Sequence, residues 1–163
     1  MLHLTEFLDR LIQTGGLQPR YKVELSAAYH DPCHLGRHNF IYEEPRRVLR
    51  SIPGLRLIEM RRSGPFSACC GMGGGLKLVR PDLQKQMSKS RIKEAEAAGA
   101  ETVVTPCQTC LMGLTSGVEA ASSPLRAFHL NELIMRSVCP DITAENIIAA
   151  IRAAEEQNEK PDE

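Results

Sequence analysis

Five of the six cysteines in this chain fall into a pattern that packing alone does not produce: Cys33, then the adjacent pair Cys69 and Cys70, then Cys107 and Cys110. Written as spacings this is C-x35-C-C-x36-C-x2-C. Thiolates are soft ligands, so such an array points to a metal or iron–sulfur centre. Five thiolates also exceed the four of a closed zinc site or an ordinary cubane cluster, which hints at a larger or more open centre. A four-thiolate site would leave one cysteine free for thiol exchange. Cys139 lies outside the array and reads as a small buried apolar residue.

The elements that must position these sulfurs are legible from hydrophobic periodicity. Leu4, Phe7, Leu8, Leu11 and Ile12 recur at helical spacing and stop at Gly15-Gly16. A strand is expected over Val23 to Tyr29, then a turn at Asp31-Pro32-Cys33, then a helix opened by Pro45 with Val48, Leu49 and Ile52 on one face. Leu55 to Met60 reads as the next strand, followed by a glycine-rich turn from Cys69 to Gly75 and a helix from Pro81 to Ala98 closed by Gly99. Glu101 to Thr105 is a third strand leading into a helix over Gln108 to Val118, and Arg126 to Leu130 a fourth, before a helix through Val138. Thr143 can cap a last helix carrying Ile147, Ile148, Ile151 and Ala154.

This alternation predicts an α/β fold with a mainly parallel sheet of about four strands flanked by helices. Each cysteine group then follows a different strand. In an open parallel sheet the strand carboxyl ends share one edge, where ligands bind, so the five sulfurs can converge there. Cys107 and Cys110 also fall at a helix amino terminus, where free N–H groups favour the thiolate.

Length and charge bound the rest. The 163 residues suit one compact domain, here 1–156, with 157–163 as a frayed polar tail. Twenty basic and twenty acidic side chains cancel, so no nucleic-acid or anionic-membrane footprint exists. No apolar run reaches the roughly 20 residues of a membrane span, and the first fifteen residues alternate charged and apolar types as no signal peptide does. A cytoplasmic location is expected, and in that reducing compartment cysteines serve as ligands or redox groups rather than as a disulfide framework.

Around the array, the glycines do not fit G-x-G-x-x-G and lack a GK[ST] element, which argues against nucleotide binding. Gly71, Gly73 and Gly74 instead read as cofactor-binding positions whose backbone can pass close to a bulky inorganic group and aim N–H donors at its sulfurs. His30, His34 and His38 cluster about Cys33; His34, beside a ligand, is the candidate proton donor to a leaving thiolate. Arg37, Arg61, Arg62, Lys77 and Arg80 are candidates for offsetting cluster charge or meeting an acidic partner.

The stretches HDPCHLGR (30–37), CCGMGGG (69–75) and TPCQTC (105–110) resemble the cysteine-rich CCG domain family. That family includes the B and D subunits of heterodisulfide reductase, the glycolate oxidase iron–sulfur subunit and the C subunit of anaerobic glycerol-3-phosphate dehydrogenase. The resemblance implies that Cys33, Cys69, Cys70, Cys107 and Cys110 ligate a non-cubane [4Fe-4S] cluster, at which a disulfide substrate is reduced in one-electron steps. It also implies redox partner subunits carrying ferredoxin-type clusters or flavin, through which the chain would reach a membrane if it does so at all. Zinc is the alternative cofactor, giving a structural or docking domain of a redox complex. A third class, a dithiol oxidoreductase using Cys107-x2-Cys110, leaves three placed cysteines unexplained. Family members usually carry two such domains and often a ferredoxin-like C-x2-C-x2-C-x3-C-P run. Neither is present here, so the chain reads as a carboxy-terminal fragment or a split subunit.

Overall fold

A computed structural model describes residues 2–141; the expected helix after Thr143 and the tail 157–163 lie outside the described residues. Four strands form one all-parallel sheet: β1 (Leu25–Tyr29), β2 (Leu55–Ile58), β3 (Thr102–Thr105) and β4 (Arg126–His129), in the order β2-β1-β3-β4. The two central strands are the most buried, β3 throughout and β1 in all but its first residue, as strands covered on both faces must be. Among the described residues six α-helices flank them: α1 (Leu4–Gln13), α2 (Glu43–Arg50), α3 (Leu76–Val79), α4 (Pro81–Ala97), α5 (Gln108–Ala121) and α6 (Leu130–Val138). The predicted α/β fold is what the chain adopts.

Alternation along the strands sends side chains to two cores. Ala27, Tyr29, Val104 and Phe128 pack against Val48, Leu49 and Ile52 around α2 and against Leu130, Leu133 and Ile134 of α6. On the other face Ala28 and Val103 meet Ile92 and Ala95 of α4 and Leu114 of α5. The α4–α5 contact is close because Gly117 has no side chain: a Cβ there would stand 2.7 Å from the Ser88 carbonyl oxygen.

This layering sets the site. The chain leaves β1 for α2 on one face and leaves β3 for α5 on the opposite face, although β1 and β3 are neighbours. Their loops diverge, and a crevice opens at the carboxyl ends between them.

The structure refines several expected boundaries. α2 begins at Glu43, two residues before Pro45, placing two carboxylates in the first turn where the helix dipole favours them. The glycine-rich turn runs into the single-turn helix α3, which ends because Pro81 pushes Arg80 into an extended conformation (φ −140°) before α4 starts. α1 and α6 each open with a histidine capping box, His3 with Glu6 and His129 with Glu132. Cys139, expected to be buried, is exposed at the end of α6, beyond the last apolar contact of that helix.

Candidate metal centre

The loop after β1 brings Cys33 to the crevice, the connection after β2 brings Cys69 and Cys70, and α5 brings Cys110; these four line one cleft. Cys107, the N-cap of α5, faces the neighbouring groove between that loop and the start of α1. Cys70 and Cys110 are buried with sulfurs 3.4 Å apart, while Cys33, Cys69 and Cys107 are partly exposed. The array therefore has a buried inner pair and three outer members.

Backbone and helix geometry hold this arrangement. Gly71 takes φ +79° against α4, where a Cβ would meet the Gln84 carbonyl and Met87 at 3.0 Å, and its N–H lies 3.3 Å from Cys69 Sγ. Gly73 and Gly74 face open space. Gly113 of α5 admits the Cys70 backbone, whose carbonyl would stand 3.1 Å from a Cβ there. The Ser88 hydroxyl, on α4, donates to that same Cys70 carbonyl at 3.2 Å.

The thiols share protons unequally. Hydrogen bonds from Cys110 and Cys69 hold Cys70 far below an ordinary thiol, with smaller help from His30 and the Met72 N–H. Cys107 is lowered to about 5, first by the Cys110 thiol and then, against the opposing effect of burial, by the Cys110 and Thr109 N–H groups at the start of α5. Cys69 and Cys110 are raised because hydrogen bonding favours their protonated form, to Cys70 for the former and first to Cys107, then to Cys70, for the latter, and burial adds to both. This sharing favours the thiolate form at Cys70 and Cys107.

Behind the sulfurs lies a buried polar layer that sequence reasoning did not find. Asp31 accepts two bonds from Arg46, at 2.7 and 3.0 Å, and one from the Gly64 N–H at 2.8 Å. Arg46 also binds Glu59 at 2.7 and 2.9 Å and stacks over the Tyr29 ring. Its pKa rises above the ordinary arginine value because these bonds outweigh burial. Arg91, wholly buried, donates to His30 Nδ1 at 3.0 Å, to the Arg62 carbonyl at 2.8 Å, to Glu94 at 2.5 Å and to Ser67 Oγ at 3.3 Å. A signal for it existed: Gln84, Ser88, Arg91 and Ala95 occupy one helical stripe of α4, and the stripe is buried although mostly polar.

The other candidates are less central. His34 Nδ1 lies 3.4 Å from Cys33 Sγ and its ring stacks on His38 at 4.7 Å, both exposed to solvent. Arg37 lines the cleft, donating to the Pro65 and Ser67 carbonyls rather than to a carboxylate. Arg62 pairs with Glu94, and Arg80 with Asp82, so their charges are already answered.

The residues present fit a sulfur-bound metal group. His30, Cys70 and Cys110 offer ligand-type atoms within 4.8 Å of one another. Thr105, the last residue of β3, keeps a buried hydroxyl with no hydrogen-bond partner among the described residues, at the same sheet edge.

Comparison with known proteins agrees with the motifs. The profile of the family described as "Cysteine-rich domain", CCG, matches residues 27–115. The chain is 38% identical over 138 residues to the D subunit of the dihydromethanophenazine:CoB–CoM heterodisulfide reductase of Methanosarcina barkeri, covering 85% of this chain and 34% of that protein. It is 35% identical over 138 residues to the probable iron-sulfur-binding oxidoreductase FadF of Bacillus subtilis, covering 83% and 20%. It is 32% identical over 145 residues to the EtfAB:quinone oxidoreductase of Syntrophomonas wolfei, again covering 83% and 20%. The chain thus spans between a fifth and a third of the length of these curated relatives. With its three cysteine motifs at the carboxyl edge of a parallel sheet and the family profile matched over more than half its length, the chain belongs to the cysteine-rich CCG domain family.

Proposed function

We propose that this chain is an iron–sulfur electron-transfer module of a heterodisulfide-reductase-like oxidoreductase, with Cys33, Cys69, Cys70, Cys107 and Cys110 holding a non-cubane [4Fe-4S] cluster. The observation that carries this reading is the meeting of cysteines from three connections at one switch-point crevice, two of them buried 3.4 Å apart. The cluster would supply one-electron transfer to a disulfide, whose reduction takes two electrons and two protons and releases two thiols. Around it, the Gly71 N–H donates to Cys69 Sγ, and the exposed His34 stands beside Cys33 where it can protonate a leaving thiolate. Gly73 and Gly74 leave the turn open on its outer side.

On this reading the module exchanges electrons with redox partners carrying ferredoxin-type clusters or flavin. Phe66, Leu78 and Val79, on either side of the glycine-rich turn in sequence, are 81%, 88% and 77% exposed and offer apolar surface for such a partner to cover. No described helix is long and apolar enough to cross a membrane. We place the module in the cytoplasm, meeting a membrane only through partner subunits.

A second reading is zinc, for which Cys33, Cys69, Cys70 and Cys110, lining one cleft, would supply the four thiolates of a tetrahedral site. Iron, acid-labile sulfide and zinc per chain after anaerobic purification, with an electron paramagnetic resonance spectrum of the oxidised protein, separate the two. Several irons with matching sulfide and a paramagnetic signal support the electron-transfer module. About one zinc per chain without sulfide turns it into a structural or docking domain.

A further inference from the structure

We infer that His30 is a hydrogen-bond donor to the sulfur of Cys70 and not a metal ligand, and that Arg91 is the positioning residue that imposes this role. The inference rests on the metal-centre reading for its consequence but on the protein's own hydrogen bonds for its logic.

His30 is 1% exposed and sits at the end of β1, where its backbone N–H donates to the Val104 carbonyl at 2.8 Å. Its ring is therefore held at the seam between β1 and β3. The Arg91 Nε–H points at His30 Nδ1 at 3.0 Å. A guanidinium nitrogen of this kind only donates, so Nδ1 must present its lone pair and cannot carry a proton or bind a metal. The ring keeps its single proton on Nε2.

Arg91 cannot easily turn away to release that constraint. It has no exposed surface, its two Nη1 hydrogens are taken by the Arg62 carbonyl and Glu94, and Nη2 reaches Ser67 Oγ. Ser67 Oγ in turn donates to the Asp31 carbonyl at 3.4 Å, so the seat is tied to both cysteine-bearing loops. A buried Nε2–H needs an acceptor. Cys70 Sγ provides it, lying with Cys110 Sγ and a ring nitrogen of His30 within 4.8 Å. The three-residue group that resembles a metal site is thus two sulfurs and a donor.

A donor on a ligand sulfur draws off negative charge and raises the potential of the centre, while leaving the ligand count unchanged. His30→Gln keeps an N–H near the position of Nε2, whereas His30→Leu removes it without adding a charge. The chain as purified, His30→Gln and His30→Leu are to be compared for metal and sulfide per chain, for midpoint potential, and for nitrogen coupling in selectively 15N-histidine-labelled protein. We expect unchanged metal in all three, a more negative potential in His30→Leu and near-recovery in His30→Gln. Arg91→Lys should move the potential in the same direction as His30→Leu.

If His30→Leu, still folded by circular dichroism, loses metal, or if pulsed resonance shows a nitrogen bonded to iron in the labelled protein, His30 is a ligand and the inference fails. Equal potentials in all three also overturn it. Should the chain prove to hold zinc, the proposed electron transfer falls, but the inference is still decided: the 15N spectrum then shows either a protonated Nε2, as inferred, or a zinc-bound one.

Discussion

The loop after β1 and the connection after β2 deliver sulfurs to the same cleft and are held in contrasting ways. The first is anchored by Asp31, buried and bonded to Arg46 and to the Gly64 N–H, so Cys33 follows from a segment with little freedom. The second is anchored only as far as Gly71; beyond it Gly73, Gly74 and Gly75 touch nothing that a side chain would meet, and Leu78 and Val79 stand in solvent. One side of the site is preorganised, and the other is an open rim carrying exposed apolar side chains. Both connections place sulfurs, but access to them lies on the second alone, beyond Gly71.

The largest effect should come from the sulfurs themselves. Cys70→Ser or Cys110→Ser is expected to abolish the cluster, read as loss of iron and sulfide per chain, because serine oxygen is a harder and less acidic ligand than thiol. Retention of full iron in both would remove the inner pair from the ligand set.

Next is the anchored loop. Asp31→Asn leaves Arg46 buried with only part of its charge answered, at a cost of about 3 kcal/mol in urea unfolding. A change below about 0.5 kcal/mol, the usual range for surface substitutions, would end the contrast between the two connections.

Within the second connection the boundary lies at Gly71. Gly71→Ala places a Cβ 3.0 Å from the Gln84 carbonyl and Met87 at a positive φ, and should destabilise by about 2 kcal/mol. Gly73→Ala meets no atom within 4 Å and needs no left-handed backbone, so its midpoint should not move. Equal melting temperatures for the two would mean that Gly71 is not the anchor.

Leu78→Ser is expected to change stability by no more than about 0.5 kcal/mol and to leave iron content intact. Its effect should appear only in binding to a redox partner, measured by titration calorimetry. The smallest effect belongs to Cys139→Ser, which is exposed and outside the cleft and should leave both iron content and melting temperature unchanged.

Much of this architecture was readable from local pattern. The apolar runs that become β1 and β3, the helical stripe Val48, Leu49 and Ile52, and the Pro81 start of α4 are short-range signals, and each marks its element to within a few residues. The positions of all five array cysteines at strand carboxyl ends followed from counting elements. Cys139 did not follow: a cysteine next to Val138 reads as apolar, and only the end of α6 exposes it. Grouping Gly71 with Gly73 and Gly74 was likewise beyond local pattern to refine, since what crowds Gly71 is α4, a helix that starts ten residues later.

Fold class, family and the cysteine set were legible in the chain alone, because strand and helix periodicities and motif spacings are local properties. Which sulfurs are inner and which are outer emerged with the packed fold, because burial depends on the strand order β2-β1-β3-β4 and on the two faces from which the loops leave. That fold alone set Arg91 against His30, 61 residues apart in the chain, and Arg46 against Asp31. Charged side chains in a helix read as solvated until a second element is packed over them, and what covers Arg91 is the site.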